Sequence, residues 1–173
     1  IFSLIILLFF IGLFFSLVST SLIASDNLDT NSYFFFFKHL IYVLIGIFLI
    51  FIFSSLNSDQ LYKYSIFLFF ISLISLFLVP FVGVEVKGSK RWIDLFFLPR
   101  FQPIEVLKPF LVIILALILC DIRSNILFKY LISGILIYII SLLLIAQPDI
   151  GQTLLVVFCW AAIIFTSGIN IYI

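Results

Sequence analysis

The sequence is dominated by long apolar runs joined by short polar links. Each run is close to the roughly 20 residues that an α-helix needs to cross a bilayer, and much longer than a membrane β-strand. Hydrophobic residues fill 65% of the 173 positions and charged residues only 10%, too few polar side chains to cover a soluble domain of this size. Six transmembrane helices are predicted, at about 1–24, 36–56, 64–82, 104–120, 130–146 and 150–167.

The predicted fold class is therefore all-α, in a polytopic integral membrane protein. No internal repeat and no linker divides the sequence, so residues 1–173 are interpreted as a single transmembrane domain. The chain begins inside an apolar run and contains no methionine, and we expect it to be truncated at both ends. The net charge of +1 and the clustering of the basic residues do not indicate a nucleic-acid partner.

The sequence contains none of the common motifs of soluble enzymes. There is no Walker-type loop, no HExxH, no GxSxG and no cluster of Cys and His, so neither a metal site nor a cofactor is evident. Cys120 and Cys159 lie near or inside apolar runs, and we expect them to be buried, inert thiols.

One segment, residues 83–110, carries eight of the seventeen formal charges. Charged groups are retained beside membrane helices where they are solvated, paired or used, so we look for function here. Its first part, residues 83–102, is the one long connection, and Trp92, Phe96 and Phe97 lie among its charges. Because aromatic residues beside charges favour the headgroup level, this loop is predicted to lie on the membrane surface.

The basic residues are divided unequally between the two sides of the predicted membrane protein. One side receives six of them and the other three, namely Lys38, Lys87, Lys90, Arg91, Arg100 and Lys108 against Lys63, Arg123 and Lys129. The positive-inside rule predicts that the richer side is cytoplasmic. If that side instead faces away from the cytoplasm, its cations serve an anionic ligand, such as a lipid-linked phosphate at the membrane surface.

Two charged residues at the start of the fourth helix are spaced to pair. Glu105 and Lys108 are three positions apart and share one helix face, and pairing lowers the cost of charge at the membrane edge. They either anchor the helix end as a salt bridge or line a polar cavity, where Lys108 would hold a phosphate. The same unit contains Gln102, Pro103 and Pro109, with Pro103 where helix starts tolerate proline.

The loop before this helix offers a second group of candidates, Lys90, Arg91 and Trp92. All three residue types favour the membrane interface, so they can be simple anchors. Alternatively they recognise a diphosphate, since arginine offers a planar fork of donors to phosphate oxygens.

A third group breaks the chain between the fifth and sixth helices. It contains Gln147, Pro148, Asp149 and Gly151. Pro148 is expected to end one helix, and Asp149 to cap the next by accepting from free backbone amides. Alternatively, the Asp149 carboxylate faces the same cavity as the paired charges of the fourth helix, and both roles can hold together.

Three segments carry recognisable motifs: VKGSKRWIDL at 86–95, FQPIEVLKP at 101–109 and AQPDIGQTLL at 146–155. In content, order and spacing they resemble the SEDS family of bacterial membrane proteins, whose members are FtsW, RodA and SpoVE. Two positions depart from the family pattern. Ile104 occupies the place of a usual Ser. The family's Gly-Ala-type pair before Arg-Trp appears here as Gly88 and Ser89, followed by Lys90. The motifs are more similar to division-type FtsW of alphaproteobacteria than to elongation-type RodA.

The resemblance implies about ten membrane helices, of which this chain would hold the first six, in the bacterial inner membrane with loop 83–102 in the periplasm. It implies that glycan strands of septal peptidoglycan are polymerised from lipid II, an undecaprenyl-diphosphate-linked substrate. The partners would be a class B penicillin-binding protein, other division proteins and membrane lipid. The family's proposed catalytic carboxylate lies beyond Ile173, so this fragment is expected to be inactive alone. No cofactor is implied, although a divalent cation remains compatible with the resemblance.

In the implied mechanism, the 4-hydroxyl of a lipid II sugar attacks the anomeric carbon of a growing glycan, and the diphosphate leaves. Basic groups would stabilise the diphosphate, Glu105 would orient Lys108, and Asp149 would support the cavity. The residues assigned to substrate binding are Lys90, Arg91, Trp92, Arg100, Glu105, Lys108 and Asp149. Two alternatives remain: a lipid II flippase, which needs the same pocket but no base, and a non-catalytic membrane scaffold of the division machinery.

Overall fold

The structure, a computed structural model, describes residues 2–27, 33–86, 88–95, 98–120 and 125–167. Lys87, Phe96, Phe97 and Arg123 lie outside these ranges. The described helices are α1 Phe2–Asn27, α2 Phe34–Ser54, α3 Ser58–Val82, α4 Pro103–Cys120, α5 Ile126–Ala146 and α6 Ile150–Thr166. The described strands are β1 Val84–Val86, β2 Ser89–Leu95 and β3 Leu98–Phe101.

Each described helix overlaps one of the six predicted apolar runs, although α3 and α5 begin six and four residues before the predicted starts at 64 and 130. Within the described residues, four segments are long and apolar enough to cross a membrane: Phe36–Ser54, Ser58–Val82, Pro103–Cys120 and Ile126–Ala146. The apolar stretches Ser3–Val18 and Ile150–Thr166 are shorter. Helices satisfy their backbone hydrogen bonds internally, as a bilayer requires. The prediction of an all-α, multi-pass membrane protein is confirmed.

Large apolar side chains cover the outer surfaces of the helices. Phe48, Phe67, Phe81 and Phe158 are between 63% and 73% exposed. Each described helix exposes large apolar side chains, and a monomeric soluble protein rarely exposes extensive apolar surface to water. Lipid chains solvate such side chains, so the exposed surface fits the membrane environment that the composition predicts.

The chain forms two compact units, Ile1–Asn57 and Ser58–Ile173. In the first, α1 and α2 pack against each other. A Cβ added at Gly46 of α2 would lie 3.9 Å from the Cζ of Phe9 in α1, so the two helices approach closely there. The second unit contains the sheet and the remaining described helices. A single functional domain over residues 1–173 stays a prediction.

The core of the second unit is centred on α4, which packs against α3, α5 and α6. α4 places Ile104, Leu107, Leu111 and Leu115 on one face, because residues three or four apart share a helix side. None of the four is more than 3% exposed. The cluster is completed by Phe69 and Leu76 of α3, Ile137, Ile140 and Leu144 of α5, and Val156 of α6. The position of the first turn of α4 is therefore fixed by packing.

The long connection between α3 and α4 was expected to be a loop, but it folds into a small antiparallel sheet. The strand order is β1-β2-β3. The turn between β1 and β2 contains Gly88, whose φ of 78° favours glycine. β1 and β3, with 3 and 4 residues, are too short to give a distinctive pattern, and β2, with the sequence SKRWIDL, does not alternate apolar and polar side chains. That this connection lies on the membrane surface stays a prediction.

Gly83 joins α3 to the sheet through a close backbone approach. Its N–H donates to the carbonyl of Val79 at 2.7 Å. A Cβ at position 83 would collide with that same carbonyl oxygen. Glycine at this position therefore sets the direction in which the chain leaves α3.

The two cysteines are less buried than we expected. Cys120 is exposed at the end of α4, Cys159 is half-buried in α6, and both are free thiols. The expectation was wrong because an apolar run predicts a membrane environment rather than burial within the protein, and lipid can surround an apolar side chain equally well.

Candidate functional site

The N-termini of α4 and α6 lie at the end of the second unit that carries the sheet. α4 follows β3 after a single residue. The turn between α5 and α6 reaches the same end, because Gln147 donates to the Leu76 carbonyl of α3 at 3.2 Å and Arg91 of β2 donates to the Pro148 carbonyl. Since α4 packs directly against α6, two helix N-termini, each the positive end of a helix dipole, lie side by side.

Glu105 and Lys108 form an ion pair near the start of α4. The Nζ of Lys108 lies 2.6 Å from Oε2 of Glu105, as their spacing predicts. The Glu105 side chain is 49% exposed and the Lys108 side chain 23%. Their neighbours Ile104 and Leu107 are fully buried, so α4 turns its apolar face to the core and this pair outward.

Gln152, in the first turn of α6, closes a ring with this pair. Its amide oxygen accepts from Nζ of Lys108 at 3.2 Å, and its amide nitrogen donates to Oε1 of Glu105 at 2.8 Å. Glu105, Lys108 and Gln152 are termed the α4–α6 triad below. The ammonium donates twice, the carboxylate accepts twice and the amide does one of each, so each group has partners of the correct polarity.

Gln152 is not among the residues predicted from the sequence, although it lies in the motif segment 146–155. Its partners in the triad are 44 and 47 positions away in the chain. An Asp followed three positions later by Gln resembles a capping box, and this is the only local signal at Gln152. The contact with α4 depends on helix packing, which no local pattern reveals.

Asp149 caps α6, as predicted, and has partners on two further sides. Its Oδ1 accepts from the N–H of Gln152 at 3.5 Å, and its Oδ2 accepts from Nε2 of Gln102 at 2.9 Å. Nη1 of Arg91 lies 3.6 Å from Oδ1. Asp149 is only 5% exposed, and a buried carboxylate requires such partners. Asp149 and the α4–α6 triad are neighbours through Gln152.

Arg91 directs all three of its guanidinium nitrogens to the connection between α5 and α6. Nε donates to the Gln147 carbonyl at 3.3 Å, Nη2 donates to the Pro148 carbonyl at 2.5 Å, and Nη1 faces the Asp149 carboxylate. A cation beside the last carbonyls of a helix is favourable. Arg91 therefore ties β2 to this connection, and direct binding of a diphosphate by Arg91 stays a prediction.

The remaining motif residues shape the two helix starts. Pro103 is the first residue of α4 and is buried, and Pro109, inside α4, cannot donate to the carbonyl of Glu105. The Gln147 side chain is buried, and its Oε1 has no hydrogen-bond partner among the described residues. A Cβ at Gly151 would meet nothing within 4 Å, so the described residues give no steric reason for glycine there.

Besides Arg91, three of the predicted substrate-binding residues lie on the sheet: Lys90, Trp92 and Arg100. Arg100 pairs with Asp94 at 3.0 Å, and both side chains are exposed. Lys90 is exposed and Trp92 is 36% exposed. In the described part of the chain, no hydrogen bond or ion pair joins Lys90, Trp92 or Arg100 to the α4–α6 triad. Their role in substrate binding stays a prediction.

The described ranges contain no group of three or more His, Cys, Asp or Glu side chains that could hold a metal ion. The carboxylates of Glu105 and Asp149 are engaged with cationic and amide side chains instead. A requirement for a divalent cation stays a prediction.

A family model described as "Cell cycle protein", covering FtsW, RodA and SpoVE, matches residues 1–173. The chain belongs to the FtsW/RodA/SpoVE family. This membership confirms the resemblance that the three motif segments indicated. It also agrees with the described fold, in which two of those segments provide the starts of α4 and α6.

Curated relatives in this family carry the FtsW name. A probable peptidoglycan glycosyltransferase FtsW of Haemophilus influenzae is 33% identical over 176 residues, covering 98% of this chain and 43% of the relative. The corresponding protein of Coxiella burnetii is 31% identical over 159 residues, covering 89% and 42%. The chain thus spans less than half the length of these relatives. Their names agree with a division-type FtsW, and the alphaproteobacterial lineage stays a prediction.

Solved structures in the family share the fold. The rod shape determining protein RodA of Thermus thermophilus has a TM-score of 0.72 at 28% identity, over 92% of this chain and 54% of that one. A chain from a peptidoglycan synthase complex, studied for its structural coordination of polymerization and crosslinking, has a TM-score of 0.69 at 28% identity. This second likeness covers 91% of this chain and 47% of that one. Both likenesses extend over about nine-tenths of this chain, so they support the family fold for nearly all of its length.

Proposed function

We propose that the full-length protein polymerises septal peptidoglycan glycan strands from lipid II during cell division. The observation that carries this proposal is the α4–α6 triad, a partly exposed ion pair held between two helix N-termini. The curated relatives are named as probable peptidoglycan glycosyltransferases, which supports the same activity. Since this chain spans less than half of those relatives, the activity is proposed for the complete protein.

The α4–α6 triad suits the diphosphate of a lipid-linked substrate. An ammonium has three N–H donors, and among the described residues Lys108 gives one to Glu105 and one to Gln152. The third can donate to a phosphate oxygen. The N-termini of α4 and α6 add positive potential, which favours an anion at this place. Lys108 is therefore the cation that we assign to the diphosphate first.

In the proposed reaction, the 4-hydroxyl oxygen of a lipid II sugar forms a bond to the anomeric carbon of the growing strand. The bond from that carbon to the diphosphate oxygen breaks, and its electron pair leaves with the diphosphate. Lys108 stabilises the charge that develops there, and Glu105 orients Lys108. The hydroxyl proton passes to a carboxylate base, which the family resemblance places after position 173.

We place the helices in the bacterial inner membrane and the sheet in the periplasm. The basic residues of the sheet then lie on the side opposite to that of the positive-inside rule, and a periplasmic anionic substrate accounts for them. A class B penicillin-binding protein is the proposed partner, together with other division proteins. One structural neighbour belongs to a complex that combines polymerization with crosslinking, which supports such a pairing.

The test is to purify the full-length protein with its penicillin-binding partner and to supply the complex with lipid II. We expect glycan strands, resolved by gel electrophoresis, and none in a reaction that lacks the complex. If the complex makes no strands but moves lipid II between the leaflets of a vesicle, the result would favour the flippase over the polymerase. A complex that does neither would favour the scaffold.

A further inference from the structure

We propose that Gln152 is a positioning residue of this glycosyltransferase site, and that its amide sets the direction of the Lys108 ammonium. The inference rests on the proposed function and extends it to a residue that bridges two helices. Gln152 contacts both members of the ion pair, at 3.2 Å and 2.8 Å. It reaches them from α6, whereas both charged residues belong to α4.

Lys108 needs a second anchor because its charge sits on a flexible four-carbon stem. Glu105, three positions earlier on the same helix, is about half exposed, and an ion pair with a partner so open to solvent restrains a lysine only weakly. Gln152 adds a contact from a different direction. A functional group held from two elements keeps a defined geometry better than one held from a single helix.

The chemistry at position 152 is restrictive. An amide both donates and accepts, so it can bond to a carboxylate and an ammonium at once. A carboxylate there would repel Glu105, and an apolar side chain would leave Glu105 and Lys108 each without one partner. The other charges near this position are Asp149, at the start of α6, and Arg91, which pairs with Asp149.

The α4–α6 triad therefore requires one carboxylate and one amide around the ammonium of Lys108. Either group can stand at position 105, provided that the other stands at position 152. Glu105→Gln leaves two amides beside Lys108, and Gln152→Glu places two carboxylates together. The double exchange, Glu105→Gln with Gln152→Glu, restores one group of each kind. Lys108 can then donate to both, and the amide can still donate to the carboxylate.

The test is a double-mutant cycle on lipid II polymerisation by the full-length protein with its partner. We expect each single exchange to lower kcat/KM by about tenfold, and the double exchange to exceed both single variants by about threefold or more. Gln152→Leu, which offers neither donor nor acceptor, should lose as much as Gln152→Glu, and adding Glu105→Gln should not rescue it. A double exchange no more active than either single variant would overturn the proposal.

Thermal unfolding of every variant in detergent separates positioning from simple stabilisation. A positioning role predicts that the single exchanges lose kcat/KM at nearly unchanged Tm, and that the double exchange regains kcat/KM. If the double exchange regains Tm but not kcat/KM, Gln152 is structural only and the inference fails. A wild-type complex that makes no strands would instead contradict the proposed function itself, so the two failures are distinguishable.

Discussion

The guanidinium of Arg91 lies 3.6 Å from the carboxylate of Asp149, and this contact joins the sheet to the start of α6. Asp149 is almost wholly buried, and it also caps the helix in whose first turn Gln152 lies. Arg91 and Asp149 therefore fix the place from which Gln152 reaches Lys108. Arg91 and Asp149, which lie outside the α4–α6 triad, thus determine the position of Gln152 within it.

Arg91→Lys is expected to destabilise the protein by roughly 1–2 kcal/mol, because lysine keeps the charge but cannot reach three acceptors at once. The free energy of unfolding, measured by SDS titration in mixed micelles, checks this. The matched control is Lys90→Ala on the adjacent, exposed residue, which should unfold as the wild type does. Equal losses from the two substitutions would contradict the geometry described for Arg91.

Substitutions at Asp149 should separate its cap from its other contacts. Asn can still cap α6 but cannot form the ion pair with Arg91, so we expect a loss of about 1 kcal/mol. Ala removes the cap, the ion pair and the hydrogen bond from Gln102, and it should cost roughly 2 kcal/mol or more. The same unfolding measurement applies, and an Ala variant as stable as the Asn variant would show that the cap contributes nothing.

Gly83→Ala should destabilise the second unit by roughly 1–3 kcal/mol, because the added Cβ would collide with the Val79 carbonyl oxygen. Gly12→Ala is the control, since a Cβ at that position in α1 would meet nothing within 4 Å. Both variants add one methyl group to an apolar segment, Gly12→Ala within α1 and Gly83→Ala directly after α3. If their Tm values in detergent fall equally, the close approach at Gly83 is not the cause.

Leu107→Ala should cost roughly 2–5 kcal/mol, because Leu107 is wholly buried where α4 meets its neighbours. The adjacent Val106 is 42% exposed, and Val106→Ala should change the free energy of unfolding far less. Denaturation of the two variants in parallel measures the difference. Similar losses from both would argue against α4 as the centre of the core.

The helices and part of the site could be predicted from the sequence because their signals are local. Apolar runs of membrane-spanning length predict helices directly. The three-residue spacing of Glu105 and Lys108 predicts their ion pair, and the position of Asp149 after Pro148 predicts a cap.

Other parts of the site depend on contacts between distant segments. Two strands of the sheet are very short and β2 does not alternate apolar and polar side chains. The contacts of Arg91 are with residues 147–149, more than fifty positions away, so no local pattern distinguishes its role from those of Lys90 and Trp92. The bonds from Gln152 to Glu105 and Lys108 exist because α4 packs on α6. No local pattern in either helix specifies that contact.

The most direct test of the central claim is the kcat/KM for lipid II of Lys108→Ala in the full-length complex. Lys63→Ala is the matched control, because Lys63 is an exposed lysine at the end of α3 opposite the sheet. We predict that Lys108→Ala lowers kcat/KM by about a hundredfold or more, as loss of a group that stabilises transition-state charge does. Lys63→Ala should match the wild type, with both complexes equally stable. Wild-type kinetics in Lys108→Ala would contradict the assignment of the α4–α6 triad to the substrate diphosphate.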